Sequence, residues 1–375
     1  MSQPLIKPTN IAEIINVFKG NIFAHTHAEM AFNRLKNAIS AEAMPQIIIL
    51  TGATGVGKTT LLHAAKNYID KSYQPQMANT PDMVPSIYMQ SMPPSSTNFS
   101  WKDFFMGLMT ALNEPLVNKK VISSMQLSLF SGGRLPHPLE QSTADALRRS
   151  CTSAMRHRNV KLAFLDEAHH MLLVSNRSRL NNQFELIKTF SADSNTTIVM
   201  AGTHKLLDIL EQSGQLARRA QVIEFARYDM RNKGHVEEFR RVLAHFEGAL
   251  KTHVSADLLS SPGFFYEKSA GCVGILKDCL TRCLEHSLLA GGKLIDEEFA
   301  KSFVMRNTAL QTIAEEAFYG ESRFEDIPSA QLRDLLANGI LLAKNEPGNL
   351  IAQPKFTKRR AAQRNPIRDP VGGMR

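Results

Sequence analysis

The eight residues Gly52-Ala53-Thr54-Gly55-Val56-Gly57-Lys58-Thr59 fit the pattern G-x-x-x-x-G-K-[ST], and their surroundings narrow the fold further. An apolar run, Ile47-Ile48-Ile49-Leu50, precedes them, and Leu61-Leu62-His63-Ala64-Ala65 follows with helical character. Strand, glycine-rich turn and helix, in that order, form the context in which this pattern binds phosphate. The glycines let successive backbone N–H groups curl round phosphate oxygens at a helix N-terminus. In such a loop Lys58 reaches the β- and γ-phosphates and Thr59 offers its hydroxyl to magnesium. Gly52 to Thr59, with Thr60 behind them, are therefore the expected contacts to ATP, with Mg2+ as its companion ion.

A run as apolar as Ile47 to Leu50 is a strand buried on both faces, which parallel sheets require. Four more follow, Ser86 to Met89, Leu162 to Leu165, Ile198 to Ala201 and Val222 to Phe225, with helical patterns between them. The chain thus predicts an α/β domain over residues 46–230 with a central parallel five-stranded sheet. Residues 1–45 form a helical segment, with Ile11, Ile14, Ile15 and Phe18 at helical spacing. Residues 231–310 are helical without clear strands and suggest a lid subdomain. In 311–353, Gln331 to Ala337 predicts a short amphipathic helix, and the turn-like Glu346-Pro347-Gly348-Asn349 a hairpin. Met92 to Ser100 and Ser131 to Pro138, rich in Pro, Gly and Ser, are expected surface insertions.

The third run delivers two carboxylates to a strand end, Leu162-Ala163-Phe164-Leu165-Asp166-Glu167. Behind a phosphate loop, Asp166 is expected to hold magnesium through water and Glu167 to orient the attacking water, which implies ATP hydrolysis. The fourth run ends in Gly202-Thr203, where Thr203 is placed to sense the γ-phosphate. Arg218 and Arg219 precede the last strand, where ring-forming ATPases keep an arginine that enters the neighbouring active site. The expected catalytic set is Lys58, Glu167, Thr203, Arg218 and Arg219.

Bulk properties limit the remaining possibilities. With 43% hydrophobic residues the chain can bury a full core. It has no run near the roughly 18 apolar residues of a membrane helix, and MSQPLIKPTN lacks the apolar segment of a secretory signal, so a cytoplasmic protein is expected. Four sparse cysteines do not make a disulfide framework. Cys279 and Cys283, with His286 close behind, have no second ligand pair at useful spacing, and the cysteines, with Cys272 and Cys151, are expected core positions rather than zinc ligands. Of the net charge of +9, six units lie in residues 354–375, where seven basic residues face Asp369 alone. That tail is expected to be disordered in isolation, and the folded body is only mildly basic.

Taken in order, these features resemble the AAA+ ATPases and, within them, the TnsC/TniB group of transposition regulators. His25 to Ile39 looks like that family's segment ahead of the phosphate loop, which helps form the base pocket. Ser86 to Pro94 looks like its second strand and Pro-containing loop. Asp166-Glu167-Ala168-His169 with Met171-Leu172-Leu173 is similar to its D-E-x-H-x-L-L form, and Val199 to Thr203 to its sensor-1 strand. The likeness covers about residues 20 to 290. One departure is the sensor-2 arginine of the wider class: the segment reads Gly271-Cys272-Val273-Gly274-Ile275-Leu276-Lys277, and Lys277 is the candidate substitute.

The resemblance implies an ATP-bound homo-oligomer, ring or helical filament, on double-stranded DNA. Its contacts would be mainly to phosphates, from Lys119 and Lys120 and, secondarily, Arg148 and Arg149. The implied role is to link a target-selection protein to a transposase and to disassemble on hydrolysis. The basic tail and the Gln331 to Phe356 element would be docking points. The rival readings are a replication-type helicase loader or initiator, for which no convincing helix-turn-helix is seen, and a P-loop signalling switch that binds no DNA.

Overall fold

The computed structural model describes residues 8–41, 44–94, 99–113, 143–173, 177–208, 220–324 and 328–338. Lys119, Lys120, Arg218, Arg219, the 131–138 insertion, the expected hairpin and the basic tail lie outside the described residues.

The five apolar runs form one sheet: β1 (Ile47–Thr51), β2 (Ser86–Gln90), β3 (Leu162–Asp166), β4 (Thr197–Gly202) and β5 (Ala220–Glu224). Their order is β2-β3-β4-β1-β5 with every pairing parallel, so the strand leading into the phosphate loop lies between β4 and β5. Ile47 stands opposite both Ile198 and Ala220, and Leu162 opposite both Ser86 and Thr197. β1, β3 and β4 are buried along their whole length because helices cover both faces.

The period of two sorts the strand residues between two layers. Ile47, Ile49, Ala163, Leu165, Ile198 and Met200 pack with residues of α5 (Trp101–Ala111), α6 (Ala144–His157) and α7 (Arg177–Ser194), notably Phe105, Cys151 and Phe190. Ile48, Leu50, Phe164, Val199 and Ile223 pack on the other side, against α2 (Thr26–Ser40) and α3 (Lys58–Ser72) through Leu35 and Leu62. The short α4 (Gln74–Asn79) follows α3.

A separate core lies in the helical part, built from α8 (Lys233–Lys251), α9 (Pro262–Ser269), α10 (Val273–Leu289) and α11 (Glu297–Ala300). The N-terminal α1 (Pro8–Gly20) gives Ile11, Ile15 and Phe18 to this core, so the two N-terminal helices serve different layers: α1 the lid, α2 the sheet. Cys279 and Cys283 are buried there, none of the four cysteines is joined in a disulfide, and no metal-ligating group of three or more occurs among the described residues.

α12 (Asn307–Ser322) returns to the sheet domain, burying Ala317 in the layer that holds Phe225. The first compact unit ends at Phe324, and α13 (Ser329–Asn338), with Leu332 and Leu336 exposed, belongs to the second. No helix among the described residues is long and apolar enough to cross a membrane.

Candidate nucleotide-binding site

β1 ends at Thr51, the chain turns through 52–57, and α3 starts at Lys58. Gly55 (φ 79°) and Gly57 (φ 110°) occupy left-handed conformations that side chains resist. Gly52 is required for a different reason: a Cβ there would meet the Phe225 carbonyl oxygen at 2.3 Å, so the loop can lie on the end of β5 only without a side chain. Lys58 is buried, and its ammonium donates to the carbonyls of Gly52 (2.9 Å) and Ala53 (2.8 Å). Burial pushes its pKa down, opposed by the negative charge of Glu167 and Asp166.

Opposite the start of α3, Asp166 closes β3 and is itself buried. Its Oδ2 accepts from the Thr59 hydroxyl (2.7 Å) and from the Tyr88 phenol (3.0 Å), and its Oδ1 from the Glu167 N–H (2.9 Å). Tyr88, on β2, escaped the sequence reading because the run containing it reads simply as an interior strand. Glu167 adopts a left-handed conformation (φ 51°), and His169 Nδ1 approaches its Oε2 to 3.2 Å without hydrogen-bond alignment. The Ser91 N–H donates to the Asp166 carbonyl (2.8 Å), while His170 Nδ1 bonds the Ser91 carbonyl (2.9 Å).

Beside Asp166 lies a cleft of about 650 Å³, lined among others by its partners Thr59 and Glu167 and by Lys58, Thr203, Lys205 and Lys277. Thr203 Oγ1 is buried there with no hydrogen-bond partner among the described residues. Next to it lies a mainly apolar cavity of about 250 Å³, walled by Ile22, Phe23, His25, Phe32, Leu61 and Phe225, and sharing Gly57, Thr60, Gly274 and Lys277 with the cleft. A polar chamber joined to an apolar one suits a triphosphate and its base. The hard oxygen donors of Thr59 and Asp166, side by side, suit magnesium, and the orphaned Thr203 hydroxyl suits an anionic phosphate.

The lid reaches the loop directly. The Gly274 N–H donates to the Gly55 carbonyl (2.7 Å), and a Cβ at Gly274 would stand 2.4 Å from that oxygen. Lys277, one turn further along α10, lines both chambers, while its ammonium donates to the carbonyls of Lys19 and Asn21 (2.7 Å each) at the end of α1. Arg148 lies away from these groups on α6, 3.5 Å from Asp193, with Arg149 exposed beside it.

Two histidines near the cleft are held neutral. Burial first, then His170 and Lys205, bring His169 down to about 4; burial, then Lys58 and Arg323, do the same for His204. The unfolded chain takes up these protons near pH 6.5, so their contribution is fully present above that value and is lost as pH falls towards 4. Urea titrations between pH 7 and 4.5 are expected to show falling stability, with a shallower fall in His204→Gln. An unchanged slope in that variant would contradict the assignment of a buried neutral His204.

The family model described as an AAA domain matches residues 42–210. No curated protein matches the chain. Among solved structures, the chain is similar to Cdc6p of Pyrobaculum aerophilum at 14% identity, over 88% of this chain and 92% of that one, with a TM-score of 0.48. Domain III of the replication initiation protein DnaA of Thermotoga maritima is 15% identical over 77% and 97%, with a TM-score of 0.44. The Walker-type ATPase PABY2304 of Pyrococcus abyssi is 16% identical over 83% and 76%, with a TM-score of 0.46. Residues 42–210 match the AAA domain, and the chain has the AAA+ P-loop ATPase fold, its parallel sheet ordered β2-β3-β4-β1-β5 behind the phosphate loop.

Proposed function

We propose that this protein hydrolyses ATP and, through it, times the assembly of an oligomer on double-stranded DNA that links a target-selection protein to a transposase. The convergence of Lys58, Thr59, Glu167 and Thr203 on one cleft, with Asp166 bonded to Thr59 behind them, carries the enzymatic half of this reading. The DNA-transposition half is supported by the sequence likeness. It is consistent with that likeness that Ser91, in the Pro-containing loop, bonds to Asp166 of the D-E-x-H segment and to His170, the residue that follows it.

Within this proposal the backbone N–H groups of residues 53–59 hold the phosphates, and Lys58 exchanges the Gly52 and Ala53 carbonyls for phosphate oxygens. Thr59, and Asp166 through water, would hold Mg2+, which neutralises phosphate charge when bound. Glu167 orients the attacking water, and Thr203 contacts the γ-phosphate. Arg218 or Arg219 of a neighbouring subunit would complete the site, as arginine fingers do. Lys119 and Lys120 are the proposed DNA contacts, and the cytoplasm the proposed location.

Electron microscopy of the full chain with duplex DNA and a non-hydrolysable ATP analogue tests the reading. Rings or filaments that form on duplex DNA, and disperse when ATP replaces the analogue, are the expected result. Assembly on single-stranded DNA alone would favour a helicase loader, and nucleotide binding with no DNA-bound assembly would favour a signalling switch.

A further inference from the structure

An ionised carboxylate offers about four lone-pair positions, two on each oxygen. In Asp166 both positions on Oδ2 are taken, one by the Thr59 hydroxyl at 2.7 Å and one by the Tyr88 phenol at 3.0 Å. One position on Oδ1 accepts the Glu167 N–H at 2.9 Å, which leaves a single position open. Thr59 and Glu167 belong to the phosphate loop motif and the acidic strand end. Tyr88 belongs to neither.

We infer that Tyr88 is a positioning residue for the magnesium site: its O–H holds Asp166 so that the one open carboxylate position faces the water that the ion carries. The strand pairing gives the contact its precision. Tyr88 stands opposite Phe164 in the parallel ladder, and Gln90 opposite Asp166, so the phenol reaches forward along β2 to the carboxylate at the end of β3. Its ring lies against His63 of α3 (centroids 4.3 Å apart), the helix that also carries Thr59. With the phenol removed, Oδ2 keeps only Thr59 and Oδ1 only the Glu167 N–H, so the carboxylate is held by two bonds instead of three and its orientation loosens. Partners that orient metal ligands in this way typically change metal affinity by roughly 10- to 100-fold when lost.

The inference rests on the reading of the cleft as a Mg·ATP site, and the test separates the two. Binding of a fluorescent ATP analogue to the full-length protein is titrated with Mg2+, for the unaltered chain and for Tyr88→Phe, which removes one oxygen and leaves the ring in place. The expected result is a roughly tenfold rise in the Mg2+ concentration for half-saturation in Y88F. Binding in EDTA and the melting temperature measured in EDTA should stay close to those of the unaltered chain. A matching Mg2+ dependence in the two proteins would overturn the role of Tyr88 alone. So would equal weakening of binding in EDTA, which marks a merely structural part. Absence of any Mg2+ effect on the unaltered chain would overturn the site reading and the inference with it.

Discussion

Exchanging Glu167 for Gln is expected to lower ATP turnover by roughly 10²- to 10⁴-fold, the range that a positioned acid or base contributes. Gln keeps the size and most of the packing of Glu, so it also keeps the left-handed turn at this residue and the N–H bond to Asp166 Oδ1. It removes the negative oxygen that faces the cleft opposite Lys58. Lys58, Thr59 and Asp166, the proposed binding groups, are untouched, so equilibrium binding of ATP should change by no more than about threefold, or ~0.7 kcal/mol. Phosphate release and binding of a labelled nucleotide, measured on the same preparation, check both parts. Turnover within tenfold of the unaltered protein would remove Glu167 from the chemistry. Loss of binding would place it among the ATP contacts instead.

The second large effect concerns the joint between the sheet and the helix that leaves the lid. Arg227, just beyond β5, is almost wholly buried, with 3% of its side chain exposed. Its Nη2 donates to Glu321 Oε2 of α12 (3.1 Å), and its Nε stands 2.8 Å from Oε1 as an ion-pair contact without hydrogen-bond alignment. Nη1 lies at 3.3 to 3.4 Å from the Ala270 and Tyr228 carbonyls and the Tyr266 hydroxyl, and Phe318 packs on the guanidinium at 4.4 Å. Burial pushes the Glu321 carboxyl above its usual range even with Arg227 beside it.

Arg227→Ala therefore leaves a half-buried carboxylate unpaired as well as a cavity. Breaking such a pair costs about 3–5 kcal/mol. The partial exposure of Glu321 draws the expected loss towards the lower end of that range. Denaturant midpoints measure it, and Arg227→Met with Glu321→Leu, which removes both charges, should recover a large part. A loss below about 1 kcal/mol in R227A would show that solvent replaces the pairing.

How much of this was legible beforehand follows from which contacts are local. The five strands could be located because burial on both faces leaves a continuous apolar run in the chain. The phosphate loop could be located because its requirements, glycine at positive φ and lysine at the helix start, fall within eight residues. Interactions across long stretches of chain left no such trace. Ile11, Ile15 and Phe18 have the spacing of any amphipathic helix, and nothing in that spacing tells that they pack on Phe246 rather than on the sheet. Tyr88 meets Asp166 across 78 positions, and Arg227 meets Glu321 across 94. The place of Lys277 near the start of a lid helix makes it the candidate substitute for the sensor-2 arginine. Its bonds to the Lys19 and Asn21 carbonyls depend on how α1 packs against α10, which no local pattern reveals.

The most direct test of the proposed function is the steady-state ATPase rate of the full chain, with Mg2+, in the presence and absence of duplex DNA. A Mg2+-dependent rate that changes with duplex length and concentration, and is lost in Glu167→Gln, is the result expected of an ATPase that assembles on DNA. A rate indifferent to duplex DNA would contradict that reading and leave a nucleotide-driven switch acting on proteins alone.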